Sequence, residues 1–374
     1  MKFQATGWRI ARIRGIDLRI HASLLILLAY LVLVISMELT QAARAARIPT
    51  SLLSGGPVLW AFILSLALFV SIALHEFGHS LFAQSQGVKV RSITLMMLGG
   101  VSSIDKIPGP TERRYFEFEL AVVGPIVSFV LAGILYGIQR VTRSPDLYFF
   151  CYWVGHANFI LGFFNLLPAF PLDGGRALRS LIAARKGILK ATEISVAVSK
   201  VLAITLGIIG ILGLNILLLI IAFFVYMSAQ AELLFHTTRQ LLEGMRTKDV
   251  MVHADPVEEN ELLNDVGDRM LNARTVILPV NTQGDNPAIV SLIDIRRTPR
   301  DKWPTTQVKN VMRIASRYLD SESPIGDFIS DLAATPLETL PVKENGRTTG
   351  YVRYMDLFTL LELKQSSSGH QEAA

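Results

Sequence analysis

His75, Glu76 and His79 lie in the order H-E-x-x-H within Ala73–Ser80, which reads A-L-H-E-F-G-H-S. Residues four apart share one face of a helix. Both imidazoles can therefore turn to a single metal ion, and Glu76 can reach a water bound to it. The spacing is that of a zinc hydrolase helix. The plain alternative is a pair of packed histidines beside a paired carboxylate. The surroundings favour the metal, because the motif sits inside the apolar run Val58–Ala83. Ionisable groups at membrane depth are costly and mostly functional.

A hydrolytic zinc site takes three protein ligands and a water. The leading candidate for the third is Asp173, in the stretch N-L-L-P-A-F-P-L-D-G-G-R from Asn165 to Arg176. Pro168 and Pro171 break the helix there, and Gly174 and Gly175 permit close backbone approach. The competing reading of Asp173 is a carboxylate at a helix end. His156 is a rival ligand, but about 25 Å of helix would separate it from Asp173, which favours a packed histidine. His21 opens the first apolar run and reads as an interfacial residue. Asn165 could donate to a substrate carbonyl or bond between helices.

These residues need elements to hold them. The chain of 374 residues is 51% hydrophobic and 18% charged, with a mean hydropathy of +0.42. That composition fits a multi-span membrane protein with a soluble part. Runs at about 20–37, 58–83, 117–138, 148–168, 191–211 and 215–235 are each long enough to span a bilayer. A turn at Leu212-Gly213-Leu214-Asn215 divides the last two, and Lys200 lies within the fifth, placed to snorkel or pair. Fifteen Lys and Arg flank the runs on one side against four on the other. This asymmetry places both termini in the cytoplasm and His75–His79 in the cytoplasmic half of the second span. The net charge of +5 is thereby explained by membrane flanks rather than a nucleic-acid surface. The single cysteine, Cys151, reads as a small buried apolar residue, and no intrachain disulfide can form. The basic, amphipathic start lacks the features of a cleavable signal peptide.

Residues 84–107 are apolar yet too broken to span as a helix. Val88, Val90, Ile93, Leu95 and Val101 suggest strands with a turn at Gly99-Gly100. A small membrane-associated sheet is the expectation. It is either an ordinary hairpin or one whose open edge can hold an extended peptide. Beyond residue 236 the composition becomes that of a soluble domain with an internal repeat. Lys248-Asp249-Val250-Met251 recurs as Lys309-Asn310-Val311-Met312, and Leu278-Pro279-Val280 as Leu340-Pro341-Val342. Two copies of a small α/β unit follow, and the Ser-rich residues 365–374 read as a disordered tail.

H-E-F-G-H in the second span, with N-L-L-P-A-F-P-L-D-G-G two spans later, resembles the site-2 protease family of intramembrane zinc metalloproteases. The resemblance covers residues 8–235. It implies one zinc ion per chain held by His75, His79 and Asp173, with Glu76 as catalytic acid and base. It also implies that Asn165 contacts substrate or oxyanion, and that 84–107 is the sheet near substrate entry. Residues 245–364 resemble tandem cystathionine-β-synthase (CBS) domains. The expected architecture is thus a multi-pass α-helical membrane protein with six spans, a small membrane-associated β-sheet and a C-terminal α/β tandem CBS domain. Its parts are 1–235 (protease), 236–364 (CBS copies at about 245–305 and 306–364) and the tail. The implied partners are the lipid bilayer and membrane-protein substrates, cut in regulated intramembrane proteolysis at the cell membrane. The resemblance implies ATP or AMP as candidate ligands, since such CBS pairs often bind adenine nucleotides with a Ser/Thr-x-x-Asp contacting ribose. Ser291 and Asp294 have that spacing, whereas Arg353 replaces the hydroxyl before Asp356. The pair therefore reads either as a nucleotide sensor or as a structural element that could make a homodimer. A transporter or channel gated by a CBS pair is the alternative function. It would carry polar pathway residues in several spans, whereas here they gather mainly at two motifs. A catalytically dead receptor on the same fold is disfavoured by the intact His75, Glu76, His79 and Asp173.

Overall fold

The computed structural model describes residues 7–97, 99–104, 115–282, 287–315, 317–329, 332, 339–344 and 347–357. The expectation of a disordered segment at 365–374 lies outside them. The chain divides into two compact units, with the boundary between His236 and Thr237.

In the first unit, six helices among the described residues are long and apolar enough to cross a membrane: α1 (Ala22–Ala45), α2 (Pro57–Ser85), α3 (Phe116–Val141), α4 (Pro145–Asn165), α6 (Ile188–Leu212) and α7 (Ile216–Leu241). Between α4 and α6 stands α5 (Asp173–Lys186), an amphipathic helix in the stretch between the fourth and fifth apolar runs to which the sequence reading assigned no element. At most a third of each apolar window is buried, and side chains such as Met37, Val70, Val130, Ile204 and Phe223 face outward. So much exposed apolar surface suits a hydrocarbon solvent rather than water. The first helix runs well past the expected residue 37, and the fourth ends at Asn165, short of 168. The turn between α6 and α7 forms where expected, but Leu214 takes the left-handed conformation (φ 49°). Gly213 keeps φ −88°, and Asn215 Oδ1 accepts from Leu218 N at 3.0 Å. Lys200 Nζ stands over the Tyr226 ring, 5.8 Å from its centroid.

A four-stranded sheet in the order β1-β2-β3-β4 belongs to this unit. Its strands are β1 (Trp8–Ile13), β2 (Ile16–Ile20), β3 (Val90–Met96) and β4 (Gly99–Ile104). The basic start of the chain is therefore a β-hairpin, which its arginines masked in the sequence. Strands β2 and β3 pair in parallel, and the crossover between them contains α1 and α2. Gly99 and Gly100 are not the turn: they lie in β4, opposite Met96 and Leu95. Val88 precedes the strands. Ile16, Val90, Ile93 and Leu95 bury one sheet face against Phe69 and Phe77 of α2 and Phe116 and Leu120 of α3. This fixes the strands to α2, which carries the H-E-x-x-H motif, and to α3.

The second unit contains two sheets of identical topology. One orders β6 (Val257–Glu258), β7 (Ile277–Asn281), β8 (Ala288–Ser291) and β9 (Arg313–Ile314). The other orders β10 (Leu319–Asp320), β11 (Thr339–Glu344), β12 (Arg347–Arg353) and β5 (Val252–His253). Each begins with a parallel pair and continues with two antiparallel pairs. The repeat read in the sequence is thus a structural repeat, and the copies exchange strands. The strand after Lys248–Met251 joins the second sheet, and the strand after Lys309–Met312 joins the first. Backbone bonds repeat the exchange, with Lys248 N to Ser321 O and Lys309 N to Glu259 O, both 2.9 Å. Neither copy can then complete its sheet alone.

Gly350 makes the exchange possible at one point, since a Cβ there would stand 2.3 Å from Val252 O. Gly350→Val should expel β5 from the sheet and destabilise the unit by about 1–3 kcal/mol, the usual cost of overpacking. Hydrogen exchange on the full-length protein checks this, through lost protection at residues 252–254.

Candidate metal centre

The first half of the site is built on α2. Pro57 starts this helix at a position where no intrahelical N–H is needed, and 29 apolar-rich residues carry it to Ser85. His75 and His79 lie on its buried face, with relative exposures of 3% and 6%. The second half comes from the chain after α4. There Leu166–Leu172 form an irregular turn, tied to α6 by Phe170 N donating to Ser199 Oγ at 2.9 Å. Helix α5 begins at Asp173. A Cβ on Gly174 would stand 2.3 Å from the carbonyl oxygens of Leu166 and Leu167, and one on Gly175 2.5 Å from the Ala169 carbonyl carbon. The two glycines thus let α5 start against its own preceding turn, as their place in the sequence suggested.

The two halves meet closely. Asp173 Oδ2 lies 3.1 Å from His75 Nε2 and 3.1 Å from His79 Nε2, and the two Nε2 atoms are 3.2 Å apart. These three residues form the group that could hold a metal ion among the described residues. The hydrogen bonds fix the chemistry of the group. His79 Nδ1 donates to the Leu120 carbonyl oxygen at 2.7 Å, so in the neutral ring Nε2 keeps its lone pair. His75 Nδ1 pairs with Ser128 Oγ at 2.9 Å. With Nδ1 of His75 donating to Ser128 as that of His79 does to Leu120, a carboxylate oxygen and two imidazole nitrogens would converge with their lone pairs, an arrangement that suits a shared cation. Tetrahedral zinc with bonds of about 2.0–2.1 Å spaces its ligand atoms about 3.3 Å apart. The N₂O donor set and its separations fit that ion.

Helix α3 supplies the backing. Leu120, Gly124 and Ser128 recur every four residues and so share one face. Leu120 and Ser128 orient the two imidazoles, and a Cβ on Gly124 would stand 2.2 Å from His79 Nε2 and 2.6 Å from His75 Nε2. Only glycine leaves the metal position open. Sequence reading missed Leu120 and Ser128. A backbone carbonyl leaves no signal in a sequence, and one serine in an apolar helix carries a weak one.

Glu76 faces the sheet. A Cβ on Gly100 would stand 2.3 Å from Glu76 Cγ, so the β4 backbone packs directly on this side chain. Ser102, two residues on and on the same strand face, donates from Oγ to Glu76 Oε2 at 3.2 Å and lies 3.3 Å from Ser80 Oγ. Strand β4 ends the strand order, so an edge strand adjoins the carboxylate.

The other expected residues are placed as follows. Asn165 Nδ2 donates to Leu161 O in its own helix at 2.9 Å, rather than across helices. His156 Nδ1 bonds to Tyr152 O at 2.8 Å, and its ring lies among those of Tyr136 and Tyr152, so the packed reading holds. His21 caps α1, accepting from Ser23 N at 3.2 Å. In the second unit, Ser291 and Asp294 bond to each other, with Oγ to Oδ2 at 2.6 Å, and Arg313 Nε donates to Asp294 Oδ1 at 2.7 Å. Burial alone would raise the Asp294 pKa, but the bonds from Arg313 and Ser291 outweigh it and hold the carboxyl below its ordinary value. In the other copy Arg353 clamps Asp356 through two bonds of 2.8 and 2.7 Å. Both carboxylates at the expected ribose positions are thus engaged by arginine.

Comparison with known proteins agrees with the geometry of the first unit. Residues 63–145 and 140–209 match Peptidase family M50. The zinc metalloprotease MJ0392 of Methanocaldococcus jannaschii is 29% identical over 366 residues, covering 96% of this chain and 97% of that protein. A solved site-2 protease from Methanocaldococcus jannaschii is 32% identical, with 61% of this chain and 95% of that one aligned and a TM-score of 0.43. The CBS domain of a membrane protein from Sphaerobacter thermophilus aligns with 33% of this chain and 93% of its own at 17% identity, with a TM-score of 0.29. The chain belongs to peptidase family M50, the site-2 protease family.

Proposed function

We propose that this chain is an intramembrane zinc endopeptidase that cuts membrane-spanning segments of other proteins. The observation that carries the reading is the convergence of His75, His79 and Asp173 atoms at 3.1–3.2 Å, one residue from Glu76. Zinc bound by these three would polarise the scissile carbonyl and lower the pKa of a bound water toward neutrality. Glu76 moves the proton. Ser102 engages its Oε2, which leaves Oε1 to take a proton from the attacking water and deliver it to the leaving amine. The edge of β4 holds the substrate as an added, extended strand and brings its carbonyl beside Glu76. Asn165 contacts the substrate backbone or oxyanion once its amide exchanges the Leu161 carbonyl for the incoming group. The charge asymmetry of the loops supports an orientation with both termini in the cytoplasm and cleavage near the cytoplasmic face of the cell membrane.

The C-terminal unit is assigned as a CBS pair that regulates or dimerises the protease. An adenine nucleotide would bind there only if Asp294 exchanged Arg313 and Ser291 for a ribose. The structural role requires no such exchange.

Three measurements test these roles. Glu76→Gln should keep its zinc and lose about 10²–10⁴-fold in cleavage of a single-span substrate, the usual worth of a general base; wild-type cleavage would remove the mechanism. Asp173→Ala and Gly124→Ala should each lose metal, the first by deleting a ligand and the second by filling the ion's position, and zinc content of the purified protein reports both. Calorimetry of the full chain with ATP and AMP decides the sensor, and absence of heat with both leaves the structural role.

A further inference from the structure

A second buried polar cluster lies away from the reacting groups. Arg179 is on α5, six residues beyond Asp173 and so about 9 Å along the helix. Its side chain is 8% exposed. The guanidinium pairs with Glu117 of α3 through one terminal nitrogen and with Glu232 of α7 through the other. It also donates to Nε2 of His236 on α7 at 2.7 Å. Its carbon stands 5.2 Å from the centroid of the Phe170 ring, in the turn that leads to Asp173. Arg176 Nε lies 3.9 Å from the same Glu117 oxygen. One residue on, Ser180 Oγ accepts from Phe118 N at 3.1 Å. None of these groups has a part in proton transfer or metal binding as described above.

A buried charged cluster is a poor way to gain stability alone, because apolar side chains of similar volume often hold helices as well or better. What an arginine adds is direction. Its planar fork accepts partners only at set angles, so two carboxylates from different helices confine α5 in both rotation and height. The consequence falls on Asp173. It is the first residue of α5, so its place follows from how α5 and the turn before it are held. Glu117 sits three residues before Leu120, on the helix that orients both imidazoles. The network therefore ties the carboxylate and the histidines to one common support, α3, and adds α7 as a second anchor.

We propose that Arg179 is a positioning residue of the metal centre. Through Glu117 and Glu232 it sets the place of Asp173 against His75 and His79, and it makes the ligand geometry depend on where α7 stands. This rests on the reading of Asp173 as the third ligand. A shift of α7 would then move Asp173 through Glu232 and Arg179 with no contact between α7 and the metal, a lever by which the protease can be adjusted.

The test uses the full chain in lipid nanodiscs, with zinc affinity from chelator competition and the visible absorption of the cobalt-substituted protein as readouts. Arg179→Gln should weaken zinc binding about 10–100-fold, as loss of groups that orient ligands does, and should shift the cobalt bands. Arg179→Lys, which keeps the charge without the fork, should recover part of the affinity but not the wild-type spectrum. Glu232→Gln should shift the spectrum in the same sense. Asp173→Ala separates the two readings. If it retains wild-type metal affinity, the ligand assignment fails and the proposal with it. If it loses metal while Arg179→Gln keeps wild-type affinity and spectrum, the ligand assignment stands and the proposal is overturned. A fall in thermal stability of Arg179→Gln with an unchanged cobalt spectrum also overturns it, by showing a merely structural role. Should Arg179→Gln not fold, an unchanged spectrum in both Arg179→Lys and Glu232→Gln overturns the proposal equally.

Discussion

Three lone-pair donors at 3.1–3.2 Å from one another, within an apolar helix bundle, are the constraint around which this structure is arranged. Such a cluster is held together by a proton or a metal ion shared among its members. The chain therefore has to hold it open, dry and in register. His75 and His79 come from one helix, so their spacing is a property of that helix. Asp173 arrives almost a hundred residues later, so its place depends on everything between. The turn after α4, the close start of α5 allowed by Gly174 and Gly175, and the Arg179 cluster all act on that one carboxylate.

Helix α3 is the common reference. It supplies no ligand, yet one of its faces orients both imidazoles through Leu120 and Ser128 and keeps the ion's position free at Gly124. The same helix packs closely on α2, since a Cβ on Gly78 would stand 2.8 Å from a Val127 methyl carbon. Small residues at the contact let two helices approach where no hydrophobic force between them exists, as lipid is as apolar as they are. Precision at the metal centre and close packing of the spans thus both depend on short side chains, Gly124 and Ser128 for the first and Gly78 for the second.

On the opposite side, Glu76 is held by a strand. The backbone at Gly100 and the hydroxyl of Ser102 press a sheet edge against the carboxylate, so in the proposed mechanism the element that would receive an extended substrate is also the one that fixes the base. The C-terminal unit solves a different problem. Its two copies exchange strands β5 and β9, so each sheet is complete only when both copies are folded. This makes the unit cooperative across its pseudo-symmetric halves. Arg313 and Arg353 then tie off the acidic residues that sit at equivalent positions in the two copies.

The parts legible in the amino-acid sequence are those governed by local periodicity. Six apolar runs, the i, i+4 histidines, the proline-broken approach to Asp173 and the sixty-residue repeat could all be read, because each rests on residues near one another in the chain. The strands at Trp8–Ile20 were hidden because arginines interrupt their apolar alternation. The place of Gly99 and Gly100 within β4 was hidden because glycine marks a turn in most contexts, whereas Gly100 here marks a close approach, with Glu76 in the space a side chain would need. Helix α5 lay between the fourth and fifth apolar runs and was not read as a helix, because it is too polar and short to stand out by hydropathy. The ligand triangle, the backing by α3, the Arg179 cluster and the exchange of β5 and β9 arose only in three dimensions. Each joins residues tens of positions apart through distances of about 3 Å, and such contacts are set by how helices and sheets pack rather than by any pattern along the chain.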